Sequence, residues 1–131
     1  MTQLRISEAA ELLGVSDDTV RRMVDAGRLT ADADGSGPRT VSGAEVAALA
    51  QEIAQPAPVG PVTDESARNR MRGLVTRVVK DTVMAQVELQ CGPFRIVSLM
   101  SREAVDELGL DVGSVAVASI KSTNVVIGVS R

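Results

Sequence analysis

Ser66-Ala67-Arg68-Asn69-Arg70-Met71-Arg72-Gly73-Leu74-Val75 is the stretch on which the fold turns. Its first residues are polar and cationic, and from Met71 onward the pattern changes to the alternation of a strand. A distant counterpart, Ile120-Lys121-Ser122-Thr123-Asn124-Val125, sets a second small polar cluster against the end of another apolar run. Together the clusters offer Arg68 and Lys121, several hydroxyls and backbone N–H groups, and no obvious acid or base. Such a set suits holding an anion without reacting with it.

Downstream of the first cluster the strand period persists. Residues 74–79 and 83–89 read as a strand pair turning at Lys80-Asp81-Thr82, and Gly92-Pro93 turns into a strand over 94–100. One short helix follows, with Ser101 as N-cap, Val105 and Leu108 inward and Gly109 as its stop. Val112-Gly113 leads into residues 115–120, and residues 124–129 close the set. Five strands and one short helix imply an all-β, OB-like barrel or sandwich over residues 66–131. So small a domain, rich in Val, is expected to seek a second subunit.

Upstream, Gln55-Pro56-Ala57-Pro58-Val59-Gly60-Pro61 stops a helical pattern and biases the chain to an extended, semi-stiff form, so residues 56–65 read as a Pro-rich linker. Residues 1–55 read as an all-α domain with a small wing. Ser7 is expected to cap a first helix whose apolar side is Ile6, Ala9, Ala10, Leu12 and Leu13 and whose end is Gly14. Ser16 caps a second, with Asp17 and Asp18 at its positive end and Val20, Met23 and Val24 inward, stopping at Gly27. Two helices joined by so few residues form a helix-turn-helix, whose second helix can lie in a DNA major groove. A polar turn over residues 33–39 fits a β-wing carrying Arg39. Ser42-Gly43-Ala44-Glu45 is a capping box opening a third helix through Val46, Leu49 and Ile53.

Composition removes the usual catalytic kits. The 131 residues contain no His, Trp or Tyr, one Phe and one Cys. General acid–base work by histidine, thiolate zinc sites, intrachain disulfides and aromatic base-stacking platforms are therefore absent, and Cys91 has no His to activate it. The expectation is a binding protein, not an enzyme, with no metal-ion site. The N-terminus lacks the basic and apolar regions of a secretory signal, and no apolar run approaches the ~20 residues of a membrane span, so the chain reads as cytoplasmic. Net charge is −3. Residues 1–55 hold five Arg against nine acids, and residues 66–131 hold nine Lys and Arg against six acids.

Two resemblances sharpen this reading. Ile6-Ser7-Glu8-Ala9-Ala10-Glu11-Leu12-Leu13-Gly14-Val15-Ser16, with Thr19-Val20-Arg21-Arg22 and Ala26-Gly27-Arg28-Leu29, resembles a MerR/excisionase-type winged helix-turn-helix. That resemblance implies double-stranded DNA as partner and Thr19, Arg21, Arg22 and Arg39 as its contacts; a protein-docking role is the alternative for an acidic three-helix unit. Ser66-Ala67-Arg68-Asn69 with Gly73-Leu74-Val75, Leu108-Gly109-Leu110 with Val112-Gly113, and Ile120-Lys121-Ser122-Thr123 with Val125 resemble the molybdate-binding Mop (molbindin) domain of the TOBE class. That resemblance implies molybdate or tungstate as ligand, held by Ser66, Arg68, Lys121 and Ser122 with backbone donors around Ala67 and Thr123. It also implies homo-oligomers (a dimer or a trimer of dimers) with oxyanions at subunit interfaces. The joint expectation is a molybdate-responsive transcriptional regulator, with an intracellular molybdate store as the alternative.

Overall fold

The computed structural model describes residues 2–32, 37–61 and 65–129. It divides into two compact units, Met1–Gln55 and Pro56–Arg131.

The first unit is helical with a small sheet. Strand β1 (Gln3–Arg5) precedes α1 (Ile6–Leu13) and α2 (Asp17–Asp25). Strands β2 (Ala31–Asp32) and β3 (Thr40–Ser42) follow, then α3 (Gly43–Ile53). The sheet has the order β1-β3-β2, and β3 pairs antiparallel with both neighbours. The expected wing is thus present as β2 and β3, while the polar turn between them falls mostly outside the described residues. An all-α reading missed β1, which keeps the chain extended through Arg5. The helix therefore starts at Ile6 with Arg5 at its N-cap, and Ser7 lies inside the first turn rather than capping it. Leu12, expected inward, is exposed. Gly14 closes α1 at φ 72°, a left-handed conformation that glycine adopts without a Cβ clash. Ser16 caps α2 as expected, its hydroxyl accepting from the Thr19 N–H at 3.1 Å. Ser42 caps α3 through the Glu45 N–H (3.3 Å), but the capping box is only half made. Glu45 instead accepts from the Thr30 N–H at 2.6 Å, fastening the chain after α2 to α3. Val20, Met23, Leu29, Val41, Val46 and Leu49 pack with α1 into one core.

The second unit is one four-stranded antiparallel sheet of order β6-β5-β4-β7, made of β4 (Asn69–Lys80), β5 (Met84–Cys91), β6 (Phe94–Ser101) and β7 (Val115–Ile120). Helix α4 (Arg102–Leu108) follows β6, capped by Ser101. Asp81 builds the β4–β5 turn by accepting from the Val83 and Met84 N–H groups at 2.8 and 2.6 Å. Val75, Val87, Leu89 and Val105 form the core, with Leu110 packed against it. Leu108, expected inward, is exposed; the inward turn falls to Leu110, whose N–H bonds the Val105 carbonyl. The fifth expected strand does not form. A 3₁₀ turn occupies Ser122–Asn124, and Val126, Ile127 and Val129 beyond it are 91%, 86% and 80% exposed. A strand needs a ladder partner, and among the described residues this segment pairs with neither outer strand of the sheet, β6 or β7.

Candidate functional site

The two polar clusters lie at one end of the sheet because β4 and β7 are neighbours. In their register Asn69 stands opposite Ile120, so the residues just before β4 and just after β7 leave the sheet at one end. Asn69 reinforces this by donating its side-chain amide to the Ile120 carbonyl at 3.1 Å. Ser66 and Arg68 are exposed on one arm, with Ala67 between them buried against the fold. Lys121, Ser122 and Thr123 are exposed on the other, where the 3₁₀ turn is closed by the Asn124 N–H donating to the Lys121 carbonyl at 2.9 Å. Among the described residues no carboxylate forms an ion pair with Arg68 or Lys121. An oxyanion offers only acceptors, and a site of hydroxyl, N–H and cationic donors matches it.

Glu65 and Arg70 are the site neighbours that the sequence reading missed. The sequence leaves Glu65 at the end of the linker and gives Arg70 no role. Arg70 donates Nε–H to the Glu65 carboxylate at 2.8 Å and a second N–H to the Glu65 carbonyl at 3.3 Å. The Arg70 guanidinium, helped by the Ser119 hydroxyl, holds the Glu65 carboxyl below its usual range. Five residues apart along an extended chain these groups would not meet; only the bend over Ser66–Arg68 brings them together, and no side-chain period announces such a bend.

On the first unit, α2 presents Arg21 and Arg22 to solvent. Arg21 is paired with Asp18 at 3.0 Å across one helical turn, an exposed contact that water and salt weaken. The Thr19 hydroxyl is 2.9 Å from that of Ser16, so it serves the helix cap first. Arg22 and Arg39 are exposed and have no ion pair among the described residues. Arg5, unremarked in the sequence, is exposed and stands opposite Thr40 in the sheet, beside Arg39 in the chain. Thr19, Arg21 and Arg22 share one helix, while Arg5 lies in the sheet and Arg39 immediately precedes its strand β3.

Two family models match the chain, a TOBE domain over residues 65–127 and a helix-turn-helix domain over residues 4–53. Molybdenum-pterin-binding protein 1 of Clostridium pasteurianum is 41% identical over 63 residues, which are 47% of this chain and 93% of that protein. The chain belongs to the molybdenum-pterin-binding, or Mop, family. The Mop match lies in the second unit, and the helix-turn-helix is carried in addition. The probable molybdenum-pterin-binding protein of Haemophilus influenzae is 42% identical over 65 residues, 49% of this chain and 94% of its own length. Among solved structures, the cytoplasmic molybdate-binding protein ModG, crystallised with molybdate bound, is similar at a TM-score of 0.50 and 41% identity. The match covers 51% of this chain and 48% of ModG.

Elsewhere in the Mop unit a cleft of about 630 Å³ is lined by Val78, Lys80, Val105, Asp106, Gly109, Leu110 and Asp111. Its chemistry is wrong for an anion. Asp106 and Asp111 would repel one, and Lys80 is already held by Asp106 at 2.7 Å. Cys91 is buried, its thiol 3.9 Å from the Met71 carbonyl, in a packing role. Among the described residues no group of His, Cys, Asp and Glu is placed to hold a bare metal ion. No helix among them is long and apolar enough to cross a membrane.

Proposed function

We propose that this chain is a molybdate- or tungstate-responsive, DNA-binding transcriptional regulator. In this reading residues 1–55 read DNA, residues 56–65 link, and residues 66–131 sense the oxyanion. The observation that carries it is the Asn69–Ile120 register, which brings Ser66, Ala67 and Arg68 to the same sheet end as Lys121, Ser122 and Thr123. That donor set, free of paired carboxylates, belongs to a unit whose relatives are named for binding molybdenum. The exposed apolar segment Val125–Val129 supports assembly through the same unit, because a second copy supplies the ladder partner that one protomer lacks. The site is then completed between subunits. DNA contacts fall to Arg21, Arg22 and Arg39, with Thr19 at the helix start.

The acidic balance of the first unit favours a second reading, a molybdate store whose helix-turn-helix docks a protein. A gel-shift of the full chain against the DNA upstream of its own gene, with and without sodium molybdate, separates the two. The regulator shifts that DNA, and saturating molybdate changes the protein concentration needed. A chain that binds molybdate but never shifts DNA is the store. A chain that shifts DNA identically with and without molybdate is a DNA-binding protein but no sensor.

A further inference from the structure

We propose that Glu65 and Arg70 form a clasp that positions the oxyanion-binding arm, so that an acid beside the site strengthens anion binding. The inference rests on the oxyanion reading above and adds two residues to it. The arm Ser66-Ala67-Arg68 is a three-residue bow between two fixed points. At its far end, Asn69 is fastened to β7 by the ladder and by its amide on the Ile120 carbonyl. At its near end, Glu65 is bent back onto Arg70, a residue of β4 that stands opposite Ser119 of β7. The contact is two-pronged, using both the carboxylate and the main-chain carbonyl of Glu65, which fixes backbone as well as side chain. Both side chains are about two-thirds withdrawn from solvent, at 29% exposure for Arg70 and 32% for Glu65, unlike the other, more open ion pairs of α2 and α4. Ala67, buried at 4% exposure, anchors the middle of the bow.

A bow held at both ends presents the Ser66 and Arg68 donors in place before the anion arrives, so less freedom is lost on binding. Charge alone argues the opposite way: a carboxylate near a dianion repels it, and its removal would tighten binding. The two effects differ in sign, which makes the clasp testable. Arg70 is a positioning residue here, with two of its five N–H donors holding Glu65.

The test is titration calorimetry of the full chain with sodium molybdate, comparing the parent with Glu65→Ala, Glu65→Gln, Arg70→Ala and the double variant Glu65→Ala/Arg70→Ala. Arg68→Ala reports on the site itself. The clasp raises the Kd of Glu65→Ala about threefold or more, and the double variant binds no more weakly than Arg70→Ala alone, as expected for partners in one contact. Glu65→Gln, which keeps an acceptor for Arg70, falls between Glu65→Ala and the parent. A Glu65→Ala chain that binds as tightly as the parent, or more tightly, overturns the clasp. Should Glu65→Ala not fold, Glu65→Gln decides alone: weaker binding supports the clasp, and equal or tighter binding overturns it. If the parent binds molybdate and Arg68→Ala weakens it at least about tenfold while the Glu65 variants do not, only the clasp falls. If the parent binds none, or Arg68→Ala binds unchanged, the site assignment falls and takes the clasp with it.

Discussion

Glu88 shows how single side chains are settled in the Mop unit. It is a carboxylate on the middle of β5, only 8% exposed, where a charge survives only with partners. Arg95 supplies two N–H donors from β6, Gln86 donates its amide at 3.2 Å, and Arg77 stands directly opposite on β4. The Arg95 guanidinium holds the Glu88 carboxyl below the ordinary carboxylate range, and Glu88 in turn raises Arg95. A carboxyl whose folded pKa is depressed contributes stability that is complete above its unfolded value, about 4.3 for Glu. That contribution is lost as pH falls through the lower folded value. Glu88→Gln is therefore expected to be less stable than the parent at neutral pH, with the gap closing as pH is taken down from about 5. Denaturant midpoints followed by far-UV circular dichroism measure this, the chain having no Trp or Tyr for fluorescence. A gap that stays constant into acid would mean that Glu88 acts by shape and not by charge.

Among the elements, β4 is the one on which both the core and the site depend. It runs twelve residues, pairs with β7 in its first half and with β5 in its second, and shifts register between Val75 and Arg77. Gly73 lies one residue before Leu74, where the two pairings overlap. A Cβ on Gly73 would stand 2.5 Å from the Gln90 carbonyl oxygen and 2.6 Å from the Cys91 sulfur, closer than such atoms approach. Gly73→Ala must push β5 away, and overpacking of this kind costs roughly 1–3 kcal/mol. The expected result is a lower thermal midpoint for the full chain. Cys91→Ala in the same background should recover part of it by removing the sulfur, while a Gly73→Ala chain as stable as the parent contradicts the close approach. These elements were legible from sequence where the signal is local. Gly14 as stop, the Ser16 and Ser101 caps and the Asp81 turn each act within four residues. Signals that needed a distant partner were misread. Gln3–Arg5 is a strand only because Thr40–Ser42 lies beside it, and Ser7 lost its cap role as a result. Residues 124–129 alternate like a strand but have no strand partner among the described residues. Ser66, Ala67 and Arg68 share a sheet end with Lys121, Ser122 and Thr123 through the β4–β7 register, whereas the Glu65–Arg70 bend had no sequence signal at all.

The molecule as a whole joins two units that each have a buried core of their own. Residues 54–61, with prolines at 56, 58 and 61, form neither helix nor strand. The first unit has a buried core of its own, so its contribution is one that can be tested separately. It carries nine acids against five Arg, so one copy has a weak electrostatic hold on phosphates and few counterions to displace. On the proposed reading, assembly through the Mop unit would change the arithmetic, because the second DNA contact would become intramolecular at a local concentration of about millimolar for a short linker. Isolated residues 1–55 are accordingly expected to bind operator DNA at least about a hundredfold more weakly than the full chain. Molybdate alters DNA affinity only by binding the DNA-competent arrangement more or less tightly than the others. An anion site completed between subunits supplies such a difference, since filling it fixes their relative placement. A Pro-rich linker passes that placement on, whereas a Gly/Ser tether behaves as a random coil and loses it. Replacing residues 56–63 by a Gly/Ser tether of equal length should leave molybdate affinity by calorimetry unchanged while shrinking the molybdate effect in the gel-shift. Equal molybdate effects with either linker would rule out a mechanical link and leave the occupancy of the assembled state as the route by which the anion acts.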